Sequence, residues 1–162
     1  MKKSGFLTKL RKEGKLQLVE PSENICNSYL EKADNCLRSA KLLLQNDLYE
    51  NSVSMSYYAM YNSLTALLFK VGIKCENHAG SMILFKELFR RADLFKMISS
   101  AKEERIDKQY YVTSRQNSEL MKTSAKELLI EAENFLVQMK LIVRNLRTKE
   151  MAGIREKFET IS

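Results

Sequence analysis

Asn51-Ser52-Val53-Ser54-Met55-Ser56-Tyr57-Tyr58-Ala59-Met60-Tyr61-Asn62-Ser63-Leu64-Thr65-Ala66-Leu67-Leu68-Phe69 is nineteen residues without a charge, in a chain that is 29% charged. A neutral segment this long must be enclosed by protein or by lipid. Its asparagines, serines and threonine make it too polar for an ordinary membrane span, so protein is the expected surrounding. Read at helical period, Val53, Tyr57, Met60, Leu64, Leu67, Leu68 and Val71 form a bulky apolar stripe. A second stripe, Ser52, Ser56, Ala59, Ser63 and Ala66, holds only small side chains. It admits close approach of a neighbouring helix or, alternatively, serves as a dimer seam. A helix with one bulky face, one small face and no charge is the central helix of a bundle.

Working outward, Gly72 is a C-cap for this helix, and Gln45-Asn46-Asp47 is a short turn before it. Upstream, Ser22 is an N-cap for a first long helix, whose face is Ile25, Tyr29, Ala33, Cys36, Leu37, Ala40, Leu43 and Leu44. Two long helices joined so tightly are antiparallel neighbours. Downstream, residues 73–77 read as a polar loop, followed by a shorter helix carrying Met82, Ile83, Phe85, Leu88 and Phe89. Another helix is predicted over 93–109, with Leu94, Phe95, Ile98, Ala101 and Ile106 inward. Residues 110–117 read as an irregular connection. The last long helix, 118–147, places Leu120, Met121, Ala125, Leu128, Ala132, Phe135, Met139, Ile142 and Leu146 on its core face. The expected fold is all-α, an up-and-down bundle of four to five helices over 22–147. A basic arm (1–21) precedes it, and a charged tail or helix extension (148–162) follows.

Composition agrees. Five glycines and one proline in 162 residues are too few for a turn-rich sheet protein. Cys26, Cys36 and Cys75 have no C-x-x-C spacing and only His78 as a nitrogen ligand, so free thiols, no metal and no cofactor are expected. No apolar run follows Lys2 and Lys3, and a cytoplasmic location is expected. Of the net charge of +7, residues 1–21 carry +4. Such an arm either steers the protein toward nucleic acid or an acidic partner, or is a solvated tail.

The order of these features resembles the HEPN superfamily (higher eukaryotes and prokaryotes nucleotide-binding domains), in its small stand-alone prokaryotic branch. The resemblance rests on Glu31-Lys32-Ala33 and Ala40-Lys41 in the first helix, and on Asp47-Leu48-Tyr49-Glu50-Asn51-Ser52 at the turn. It continues through Ser56-Tyr57-Tyr58-Ala59-Met60-Tyr61, Ala66-Leu67-Leu68, Gly72, His78-Ala79-Gly80-Ser81, Phe85-Lys86-Glu87-Leu88-Phe89 and Arg105. It implies a helical bundle that dimerises and pairs with a small nucleotidyltransferase. It also implies, for many members, metal-independent ribonuclease activity at an arginine followed after four to six residues by a histidine.

That motif maps onto Arg105-Ile106-Asp107-Lys108-Gln109-Tyr110, where Tyr110 stands in the histidine's place. Cleavage through a 2′-hydroxyl needs a proton acceptor near neutral pH; imidazole titrates near 6.5 and phenol near 10. The site residues implied are Arg105 and Tyr110 for catalysis, with Arg105 and Lys108 for nucleotide or RNA binding. Because some partner transferases attach nucleotide to a tyrosine near the motif, the resemblance also implies Tyr110 or Tyr111 as an acceptor. Tyr57, Tyr58 and Tyr61 are expected to be structural, as is His78, through a hydrogen bond to backbone or to a buried tyrosine. A catalytic role for His78 requires the fold to bring it to Arg105.

Three functions follow. The first is a HEPN-type component of a toxin–antitoxin-like two-gene system, weakly active or non-catalytic because Tyr110 replaces the histidine. The second is an RNA endonuclease using Arg105. The third is a helical adaptor binding RNA through its arm.

Overall fold

The computed structural model describes residues 3–110 and 118–161, with side chains described for 5–106 and 118–161. Its elements are helix α1 (Lys3–Lys12), strand β1 (Leu16–Leu18), α2 (Glu23–Gln45), α3 (Tyr49–Lys70), strand β2 (Ile73–Cys75), α4 (His78–Phe89), α5 (Ala92–Tyr110), α6 (Ser118–Asn145) and α7 (Thr148–Ile161). The architecture is the expected all-α bundle.

Helix α3 is its axis, packed on α2, α5 and α6. Both stripes are inside it: Val53, Tyr57, Met60, Leu64 and Leu67 are fully covered, and so are Ser52, Ser56, Ala59, Ser63 and Ala66. The small stripe is therefore spent within the chain. Ser52 Oγ donates to the Ala40 carbonyl of α2 at 2.8 Å, a contact only a short side chain between close helices makes. Ser22 caps α2 as its sequence indicates, accepting from the Ile25 amide at 3.2 Å. The α2–α3 turn passes through Asp47 at φ 59°, where Asp is among the residues that tolerate a left-handed backbone.

The fold departs from the sequence reading at both ends. Residues 1–21 supply α1 and β1, and Leu7, Leu10 and Leu16 are buried. The arm is thus part of the core, and removing it would open the bundle before testing any RNA contact. Residues 73–77, expected as a loop, contribute β2, which pairs antiparallel with β1 in the register Leu16–Cys75 and Leu18–Ile73. The tail folds back as a separate α7, burying Phe158, over whose ring the Arg11 guanidinium sits at 4.5 Å. The stretch 22–147 holds five helices, α2 to α6, within the four to five expected, and α1 and α7 bring the described residues to seven. Ile25 and Leu120, placed inward by periodicity, are 41% and 57% exposed, each in the first turn of its helix. Ile106, also read as inward, is 37% exposed.

Gly72 holds this corner together. Its φ is +74°, and a Cβ there would lie 2.4 Å from the Val19 carbonyl oxygen and 2.1 Å from Arg155 Nη1. Among the described residues no helix is long and apolar enough to cross a membrane.

Candidate functional site

Three elements converge beside the middle of α3. That helix contributes Tyr57, Tyr58 and Tyr61; the i, i+4 pair Tyr57–Tyr61 shares a face, with ring centroids 6.3 Å apart. The second element is the start of α4. Asn77 Oδ1 accepts from the Gly80 amide at 2.8 Å, which caps α4 and sets His78 at its first position. The imidazole stacks on Tyr61, centroids 3.6 Å apart and planes 18° from parallel. Its Nδ1 lies 2.8 Å from the Tyr57 hydroxyl. The third element is α5, which lays the Arg105 guanidinium over two rings, 5.4 Å from the Tyr57 centroid and 5.0 Å from that of Tyr58. Tyr57 thus meets His78 with its hydroxyl and Arg105 with its ring.

The electrostatics follow from burial and from the cations on α5. Burial above all pushes the Tyr57 hydroxyl up to about 12, so it remains protonated at neutral pH. His78 is held below the ordinary value near 6.5, first by burial and then by the positive charges of Arg105 and Lys102. At pH 7 it is a neutral imidazole, and whichever ring nitrogen lacks the proton can accept one.

Arg105 Nε is buried without a hydrogen-bond partner among the described residues. Its guanidinium is fixed by ring faces, which leaves N–H donors for an oxyanion. Ser81 Oγ, also buried, reaches no partner in good hydrogen-bonding geometry among the described residues. It nevertheless lies close enough to favour ionisation of Tyr61 and Cys75, both of which burial raises more strongly. Chemically, the cluster can hold a phosphate at Arg105 with a neutral proton acceptor next to it.

The structure brings Arg105, inferred as a site residue, together with Tyr57, Tyr58, Tyr61 and His78, inferred as structural. The hydrogen bond of His78 to a buried tyrosine is the one anticipated, and the same tyrosine carries Arg105. The side chains of Lys108 and Tyr110, and Tyr111 as a whole, lie outside the described residues. Sequence reasoning missed Lys102. Its position three residues before Arg105, one turn back on α5, was the available signal.

A model of the HEPN domain matches residues 26–142, from the first turn of α2 through most of α6, and includes every residue of the cluster. The chain is 27% identical over 134 residues to a "UPF0332 protein" of Thermotoga maritima, covering 80% of this chain and 98% of that one. Two Methanocaldococcus jannaschii proteins, named "Putative toxin MJ0605" and "Putative toxin MJ0142", are 27% and 30% identical to it. Each alignment covers 72% of this chain, and 87% and 82% of the respective relative. With the helical bundle, the neutral central helix and a domain match over most of its length in agreement, this chain belongs to the HEPN domain family.

Proposed function

We propose that this protein is the HEPN-type component of a cytoplasmic, toxin–antitoxin-like two-gene system, acting as a homodimer with a small nucleotidyltransferase as partner. Its ligand is the phosphate of RNA or of a nucleotide, received at Arg105. The observation that carries this reading is the Arg105 guanidinium, laid on Tyr57 and Tyr58 with Nε buried and unpartnered among the described residues. Relatives named as toxins support it. With Tyr110 in the motif histidine's place, cleavage by the family's usual pair is weakened or lost.

Residual cleavage should appear as growth arrest on expression, relieved by co-expression of the neighbouring transferase and by Arg105→Ala. The two proteins should also co-purify, and intact mass after incubation with the transferase and ATP should report any nucleotidyl group on Tyr110 or Tyr111. Unimpaired growth together with no co-purification would overturn the proposal.

A second reading, a metal-independent RNA endonuclease using Arg105, is favoured by one observation. His78 and Arg105 contact the same tyrosine, so a neutral imidazole lies beside the phosphate-holding cation.

A further inference from the structure

We propose that His78, which lies outside the arginine–histidine motif, is the proton acceptor for cleavage of unpaired RNA at Arg105, with the scissile phosphate on the guanidinium and the neighbouring 2′-hydroxyl against Nε2 of His78. This rests on the endonuclease reading.

Tyr57 joins the two groups, its hydroxyl 2.8 Å from His78 Nδ1 and its ring under Arg105. Tyr61 stacks on the imidazole and fixes its plane. When Nδ1 carries the proton it donates to the Tyr57 oxygen, and Nε2, which has no hydrogen-bond partner among the described residues, presents its lone pair. The groups facing His78 are Tyr57, Tyr58 and Tyr61 from α3, and Arg105 and Lys102 from α5. Tyr57 is pushed up to about 12, while Tyr61 and the nearby Cys75 thiol are raised by burial, so none of these three is a base at pH 7. His78 is lowered and therefore already neutral there.

The step balances without a metal. Nε2 takes the 2′-hydroxyl proton as the O2′–P bond forms and the P–O5′ bond breaks. The departing 5′-oxygen takes a proton from water, and the imidazolium returns its own to the hydroxide left behind. The products are a 2′,3′-cyclic phosphate and a 5′-hydroxyl. Attack requires the 2′-oxygen in line with the leaving oxygen, an arrangement an unpaired strand reaches and an A-form helix does not. Arg105 neutralises the charge that builds on the phosphoryl oxygens.

The test uses the full chain, a labelled unstructured oligoribonucleotide, and proton NMR of the imidazole, which is unambiguous because His78 is the only histidine. Cleavage should produce cyclic-phosphate ends and rise with pH through the His78 titration read on the same sample. His78→Gln and Arg105→Ala should each lower the rate by about 100-fold or more. Saturating 3′-uridine monophosphate should raise the His78 pKa in the unmodified protein by about one unit, and should not do so in Arg105→Ala.

Cleavage by His78→Gln at the unmodified rate, with Arg105→Ala inactive, would overturn the role of His78 and leave the endonuclease reading standing. An inactive unmodified protein, or an Arg105→Ala variant as active as the parent, would overturn both. A His78 signal indifferent to the nucleotide would overturn the inference even if the glutamine variant failed to fold.

Discussion

Two arginines brace helix α3 and are put to opposite uses. Near its C-terminal end, Arg155 from α7 directs Nη1 at three backbone carbonyls: Val19 at 2.8 Å, and Val71 and Gly72 each at 3.0 Å. Those oxygens belong to the end of a helix and to the β1–β2 corner, where the Gly72 carbonyl also accepts from the Val19 amide at 2.9 Å. Beside the middle of α3, Arg105 makes no such bond to a carbonyl among the described residues. Tyrosine rings hold it, and its Nε has no hydrogen-bond partner among the described residues. An arginine whose donors end on backbone is a structural clamp. One held by ring faces, with Nε unpartnered among the described residues, is the group to which the proposed function assigns a phosphate.

The sharpest way to break the clamp is Gly72→Ala. The left-handed backbone and the Cβ placed 2.4 Å from the Val19 oxygen should together cost about 3 kcal/mol, read as a lowered denaturation midpoint. Arg155→Ala should cost about 2 kcal/mol by the same measurement, because charged hydrogen bonds to three carbonyls are lost together. Its affinity for a phosphate ligand at Arg105 should be unchanged. Arg105→Ala should reverse that pattern. Stability should fall by about 1 kcal/mol, as loss of cation–π contacts alone implies, while phosphate binding, followed by calorimetry, disappears. A variant that lost both properties equally would erase the distinction between the two arginines.

Smaller effects sharpen the same contrast through pH. His78 has a folded-state pKa below its unfolded value near 6.5, so between those two values the unfolded chain binds more protons. Stability therefore rises with pH across that window. The contribution is complete above about pH 6.5 and is lost as pH falls through the folded-state value. His78→Gln should flatten this part of the stability–pH curve, and Arg105→Ala should move the His78 midpoint upward because one of the depressing charges is gone. Smallest of all should be Lys140→Ala. Its ion pair with Asp34 spans α2 and α6 at 2.7 Å, but both side chains are more than two-fifths exposed, so the loss should stay below about 1 kcal/mol.

Much of the bundle was legible because helical periodicity is local. The two stripes of α3 and the cap at Ser22 lie where the residues placed them. The β1–β2 ladder was not legible. Strands of three residues are too short to show alternation, and their pairing joins segments more than fifty residues apart. Helix α7 could have been found, since Met151, Ile154, Phe158 and Ile161 recur at helical spacing, but balanced charge masked the stripe. The burial of Leu7 and Leu10 in α1 was hidden in the same way by lysines on the outer face. At the site, each residue type was readable on its own. That His78 and Arg105 share a tyrosine was not, because twenty-seven positions separate them and only the packing of α4 and α5 on α3 closes the gap.

By itself, the sequence determined the central helix, its two faces, the all-α class and the resemblance to HEPN domains. Those are properties of residue order along one element or between neighbouring ones, where 3.6-residue spacing and chain punctuation suffice. The tertiary structure alone decided that the arm and tail are core elements, that the small stripe of α3 is occupied within the chain, and that Tyr57 is shared by His78 and Arg105. These depend on how helices cross and which faces meet, and no local spacing records that.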